Sequence, residues 1–166
     1  FISNECVVMR CVVANTTWIV EHDGRIPCMA LLERTTAFAL TTASLMSPNP
    51  ATATIDRGDV CDTATNHRID VRRDCYAQAF SSWRSADSIN GGSLIIASVA
   101  VDGTGASTSI EYVDSATYNA PHAVYYGELA AGAYLEIFCY HNHGSNRNTS
   151  TAVDYRPRLG FVEVLK

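Results

Sequence analysis

The sequence predicts an all-β protein, an antiparallel jelly-roll-like sandwich, on three observations. The segment "YLEIFCY" (134–140) alternates, with Leu135, Ile137 and Cys139 on one face and Tyr134, Glu136, Phe138 and Tyr140 on the other. That is the period-two pattern of a half-buried strand. Asp102-Gly103 separates two β-rich runs, and Asp-Gly accepts the positive φ angles of a tight hairpin turn. Five such runs fill the C-terminal half, with turn signals roughly every ten residues, the spacing of a sandwich or barrel.

From the N-terminus, "CVVMRCVVANTTWIV" (6–20) is β-rich, and Asp23-Gly24 marks a turn into a strand near Ile26. "CMALLERTTAFALTTASLM" (28–46) fits two readings. Leu31, Thr35, Phe38, Thr42 and Leu45 make a helical stripe, whereas the threonines favour strand, which is the preferred reading. "SPNPATA" (47–53) is a loop, 54–75 carries mixed charge, and "QAFSSW" near residue 80 is a strand. Asn90-Gly91-Gly92 opens the β-branched run "SLIIASVAV" (93–101). In "ASTSIEYV" (106–113), Ala106, Thr108, Ile110 and Tyr112 share one face, and Ser107, Ser109 and Glu111 the other. After Pro121 come "HAVYYGEL", the turn "AAGA", the strand quoted above and a polar loop (141–150). The chain closes with "RLGFVEVL" (158–165), where Leu159, Phe161 and Leu165 alternate. No repeat or linker divides 1–166, which reads as a single β-sandwich domain, with 1–75 the less strongly patterned half.

Composition removes several function classes. The 166 residues are 47% hydrophobic and only 17% charged, enough to bury a core and too apolar for disorder. Net charge is −5 and Lys166 is the only lysine. The best basic cluster, Arg68, Arg72 and Arg73, is interleaved with Asp70 and Asp74, so no nucleic-acid partner is expected. No apolar run reaches the ~20 residues needed to span a bilayer, so no membrane insertion is expected. A chain that opens on Phe1 reads as a mature or trimmed product.

The six cysteines, Cys6, Cys11, Cys28, Cys61, Cys75 and Cys139, show no zinc-type spacing. An even count without metal spacing points to disulfides and an oxidising, extracellular setting. The preferred pairing joins Cys11 to Cys28, Cys61 to Cys75 and Cys6 to Cys139; buried free thiols are the alternative. The sequons Asn15-Thr16-Thr17 and Asn148-Thr149-Ser150 agree with a secretory route.

Three stretches carry a family resemblance. "INGGSLIIASVAV", "GELAAGAYLEIFCYHN" and "RLGFVEVL" are similar, in order and spacing, to three strands of the C1q and tumour-necrosis-factor-like jelly rolls. Ser93, Ala133 and Leu159 stand where that pattern has an aromatic, an aspartate and an aromatic. The likeness covers about residues 80–166. It implies a jelly-roll sandwich that forms a tight trimer and binds proteins or glycans on its outer loops, as cellular cytokines, complement-like proteins and viral surface proteins do. A second stretch, "IPCMALLERTTAFALTTASLM", resembles the opening of chymotrypsin-like proteases. Ser44 stands where the catalytic histidine would be and no "Gly-Asp-Ser-Gly-Gly" follows, so an active protease of that type is excluded.

Candidate chemistry is sparse. His141 and His143 sit at i and i+2, a spacing that shares one strand face, and His122 is a conceivable third ligand of a zinc enzyme. The bland alternative is a strand running out into a polar loop. Arg57-Gly58-Asp59 is the integrin-type tripeptide, read mainly as a structural turn. Glu111, Glu128, Glu136 and Glu163 would make a glycosidase only if two converged, and single acids on a solvated strand face are the ordinary case. Tyr112, Tyr118, Tyr125, Tyr126, Tyr134 and Tyr140 are candidates for a sugar-binding or subunit-contact patch.

The resulting expectation is a non-enzymatic recognition or attachment module, extracellular or on a virion surface, without a cofactor and self-associating as a homo-oligomer. Its glycan or protein ligand is expected on loops 102–105, 114–122 and 141–150, with Tyr118, His122, His141, His143, Asn146 and Arg147 as contact residues. The alternative is a structural subunit of a virion, capsid decoration or extracellular filament, and the third class is the metal-dependent enzyme.

Overall fold

The computed structural model describes residues 7–13, 17–23, 26–114 and 118–164, with the backbone alone for 7–13 and 17–23. Strands β1 (Val7–Val13) and β2 (Thr17–Asp23) pair as an antiparallel hairpin. β3 (Met29–Glu33), β4 (Ala39–Leu40), β5 (Thr52–Arg57), β6 (Cys61–Asp62) and β7 (Arg68–Asp70) follow. Then come β8 (Cys75–Ser82), β9 (Ser93–Val101), β10 (Thr104–Val113) and β11 (His122–Leu129). β12 (Tyr134–His141), β13 (Arg147–Asn148) and β14 (Arg158–Val164) complete the series.

Two five-stranded sheets form the sandwich, in the orders β10-β9-β12-β7-β6 and β11-β8-β14-β3-β5. From β7 onward the chain crosses between sheets repeatedly, so most neighbours in a sheet are distant in sequence. That is the double Greek-key winding of a jelly roll. The described residues contain no helix, which settles 28–46 in favour of strand: β3, an irregular segment and β4. The strand expected near Ile26 starts instead at Met29.

Turn chemistry sets the register. Asp102 and Gly103 take φ of 51° and 75° between β9 and β10, the doubly positive geometry of a primed hairpin turn. Inside the sandwich, Ile95, Ala97 and Val99 of β9 and Leu135, Ile137 and Cys139 of β12 are buried, as are Ala77, Ala79, Leu159 and Phe161 of the other sheet. Gly160 lies beside Phe80 across the β8–β14 ladder, and a side chain there would enter the Phe80 ring. A strand-interior glycine thus marks a close approach.

On β10 the face assignment carries a surprise. Ser107, Ser109 and Glu111 point inward and are half-buried, while Ile110 and Tyr112 are 55% and 75% exposed. Ser107 Oγ donates to the Val124 carbonyl of β11 at 2.6 Å, so the two edge strands meet there through a polar contact. The apolar face is left outside.

Three sequence expectations need correction. Cys61 and Cys139 carry free thiols, so neither Cys61–Cys75 nor Cys6–Cys139 is formed. Cys139 lies on the inward face of β12, where it packs as a small hydrophobe. The Cys11–Cys28 pairing, Cys6, Asn15 and Leu165 lie outside the described side chains. Glu163 is no solvated strand acid, being only 3% exposed.

Glu163 and Glu33 staple opposite ends of the β3–β14 ladder. Glu33 (1% exposed) accepts from Arg158 Nε at 2.7 Å, Arg156 Nη2 at 2.5 Å and the Thr54 hydroxyl. Glu163 accepts from Arg73 Nε at 2.5 Å, Arg73 Nη2 at 2.9 Å and the Cys28 amide at 2.6 Å. Burial pushes both carboxyls up, but the guanidinium and other hydrogen bonds outweigh it, and both stay below the ordinary glutamate range. A carboxyl held low in the folded state stabilises it above the unfolded pKa of about 4.3, and that contribution is lost as pH falls further.

Removing one partner of such a cluster leaves the others buried and unpaired. Glu33→Ala is expected to lower the unfolding free energy by about 3–5 kcal/mol in urea titrations at neutral pH, with a smaller difference from the parent below pH ~4.

Candidate functional site

The loops leave the sandwich at two ends. Leu135 pairs with Val101 and His141 with Ile95, so segment 102–105 lies at one end and 141–150 at the other. The three ligand loops expected from sequence therefore do not form one surface: the described residues of 114–122 (Asp114 and 118–122) share an end with 141–150, and 102–105 does not.

At the 141–150 end, a cleft of about 210 Å³ is lined by Ser82, Trp83, Ala120, His122, Asp154 and Tyr155. Trp83 closes its floor, 1% exposed, with its indole N–H donating to the Ile96 carbonyl at 2.7 Å. His122 begins β11 beside Ser82 of β8, and its ring stacks on Phe80 with centroids 5.7 Å apart. Arg84 packs on Tyr155, a lining residue, and stands between two rings, its guanidinium carbon 3.5 Å from the Tyr155 centroid and 5.3 Å from that of Tyr118. Its Nε is shielded from solvent and has no hydrogen-bond partner among the described residues. A cation flanked by tyrosines, with hydroxyl, imidazole and carboxylate nearby, suits recognition of a polar ligand by hydrogen bonds and ring faces.

Ser82, His122 and Asp154 share this cleft, yet no side-chain hydrogen bond or ion pair joins any of them to another described residue. Acyl transfer needs a nucleophile–base contact and a base–orienter contact, and neither is made.

Of the six predicted contact residues, His122 lines this cleft and Tyr118 lies beside it against Arg84. The other four build the neighbouring 141–150 loop, and each makes contacts within the chain. His141 is fully buried; its Nδ1 accepts from the His143 amide at 3.3 Å, and its Nε2–H then donates to the Leu40 carbonyl at 3.1 Å. Both ring nitrogens are occupied, leaving none for a metal. His143 Nδ1 accepts from the Asn90 amide at 3.0 Å, and Arg147 lies against its Nε2. Asn146 Oδ1 accepts from the Thr42 amide at 3.3 Å. His122 sits on the other sheet, and no group of three potential ligands converges among the described residues. The three-histidine zinc site is therefore not formed.

Arg84, Asp154 and Tyr155 were not legible as site residues. Nothing in "SSWRS" or "VDYRP" distinguishes them from surface residues; only the fold brings the two segments together, through the Ser85–Thr149 bridge and the Ser150 amide on the Arg84 carbonyl.

No family model matches the chain, and no curated protein matches it by sequence. Solved structures do. Murine APRIL at pH 5.0 superposes with a TM-score of 0.61 at 13% identity, over 84% of this chain and 100% of that one. Eiger TNF from S. frugiperda gives 0.61 at 9% identity, over 85% of this chain and 93% of that one. The fold is the tumour-necrosis-factor-like jelly roll. The three stretches that carried the resemblance fall on β9, on β11 to β12, and on β14. Identity this low speaks for the fold and leaves function to the site.

Burial is the main cause holding His141 below the usual histidine range, with His143 and Arg147 adding to it and the Leu40 hydrogen bond opposing it. A histidine kept neutral by the fold stabilises it above the unfolded pKa of about 6.5, and this contribution is lost as pH falls through the folded value. Thermal melts between pH 7 and 5 are expected to show declining stability, and His141→Gln is expected to remove most of that slope.

Proposed function

We propose that this chain is a non-enzymatic recognition module that works as a homotrimer outside a cell or on a virion surface. The observation that carries the proposal is a pair of non-equivalent apolar patches. One lies on the outer face of the β11-β8-β14-β3-β5 sheet, where Tyr76, Tyr126, Val162 and Val164 are 45%, 69%, 38% and 52% exposed, with Gln78 donating to the Tyr126 hydroxyl and Glu128 at the border opposite Tyr76. The other is on the outward face of β10 at the edge of the second sheet, where Ile110 and Tyr112 are 55% and 75% exposed.

Two different patches on one subunit fit each other head-to-tail, and such a contact closes into a ring when the rotation allows. Aromatic residues with polar tips are favoured at such contacts. The outer face of the other sheet is apolar too, at Leu94, Ile96, Phe138 and Tyr140, but each of these is already half-buried within the chain. A ring of three follows the tumour-necrosis-factor-like resemblance. In that arrangement the aromatic cleft around Arg84 stays at the end of each subunit and takes the ligand, a protein or glycan segment bearing an anionic or hydroxyl group. The exposed Asn148 of its sequon suits a secretory route.

The same head-to-tail contact, if it failed to close, would build an open filament, the structural-subunit reading. Light scattering on the purified chain separates the two. A discrete mass of three times 18.0 kDa is expected, and Val162→Glu, which places a charge in the sheet-face patch, is expected to give folded monomers that still melt cooperatively, at a lower temperature that no longer depends on concentration. Open-ended growth, or a Val162→Glu trimer, would count against the proposal.

A further inference from the structure

We infer that the Arg57-Gly58-Asp59 turn is a second docking site, presented to a protein receptor that meets Arg57 with a carboxylate and Asp59 with a bound divalent cation. The tripeptide joins β5 to β6, which belong to different sheets, so it bridges the sandwich. It lies at the end opposite the aromatic cleft, near the 71–74 loop, where Arg72 reaches it. Gly58 and Asp59 take φ of 105° and 53°, a tight reversal in the left-handed region where glycine and aspartate are tolerated.

The backbone of this turn is held from inside. Asp56 Oδ1 accepts from the Val60 amide at 2.8 Å and the Cys61 amide at 3.3 Å. The Arg72 guanidinium donates to the Asp59 carbonyl, from Nε at 3.1 Å. Asp56, Gly58 and Arg72 thus account for the shape of the turn.

The Arg57 side chain and the Asp59 carboxylate do not take part in it. Arg57 is exposed and makes no hydrogen bond or ion pair with any described residue. The Asp59 side chain is 99% exposed, and its charged contact is Arg72 Nη2 at 3.8 Å, a pair that water screens almost completely. A guanidinium and a carboxylate flanking one glycine are therefore displayed on a pre-shaped loop with their hydrogen-bonding capacity unspent. Guanidinium pairs strongly with a carboxylate fork. A free carboxylate is a hard oxygen ligand suited to a magnesium, manganese or calcium ion with an open position. A turn already fixed loses little entropy on docking.

The turn itself does not require this chemistry, because asparagine tolerates positive φ as well as aspartate does. Asp59→Asn therefore keeps the shape and removes the charge. The immobilised full chain is offered a purified integrin ectodomain that captures linear Arg-Gly-Asp peptides, with manganese present. Saturable binding is expected, competed by the soluble peptide, abolished by EDTA, and roughly 10- to 100-fold weaker in Asp59→Asn and Arg57→Ala, whose melting curves match the parent. No binding by the parent chain, or equal binding by Asp59→Asn, would overturn the inference. The monomeric Val162→Glu chain retains the per-site affinity if the inference holds, so the docking site and the trimer are tested separately.

Discussion

Strand β14 lies in the middle of its sheet, between β8 and β3, and the rest of the sandwich depends on its staying there. Its neighbours come from far earlier in the chain, so this ladder closes long loops and orders much of the molecule at once. Backbone hydrogen bonds alone would leave its register open to slippage, and a slip of one residue would put Leu159 and Phe161 outside. Glu33 and Glu163 prevent that. Each is a buried carboxylate whose arginines come from another segment, Arg156 and Arg158 at one end and Arg73 at the other. Any shift of β14 would strand a charge in the interior, which costs far more than the ion pairs contribute.

With that ladder fixed, the sandwich separates its surfaces. The sheet face across β11, β8 and β14 keeps apolar side chains where solvated strands ordinarily carry polar ones, and the outward face of β10 does the same. The two ends carry the loops. One holds Arg84 between Tyr118 and Tyr155 over a tryptophan floor; the other holds a charged turn on a braced hairpin crossing. An assembly surface on the flank and recognition surfaces at the ends do not compete for the same residues. Among the described residues, neither end places a base against a nucleophile.

The sequence carried the strands because their signals are local. The alternation of 134–140 and the Asp-Gly hairpin each report their own conformation. What stayed hidden is what distant segments decide. The polar face of β10 turns inward because β11 lies against it, and Ser107 has Val124 to bond. Glu163 is buried because Arg73 reaches it from ninety residues earlier. His141 and His143 read as a pair by their spacing, but Leu40 and Asn90, both far away in the chain, each claim a nitrogen of one ring. Cysteine count pointed to disulfides, yet Cys139 sits at a position of β12 that any small apolar side chain would fill. Arg84 and Tyr155 had no signal in their own segments.

The account turns most on whether the uncovered sheet face meets the outward face of β10 in another copy. Native mass spectrometry of the unaltered chain, across a dilution series and after chelation of metal, tests this directly. A species of three chains, unchanged by chelation and falling apart only at high dilution, is the predicted result. A monomer that persists on concentration would contradict it.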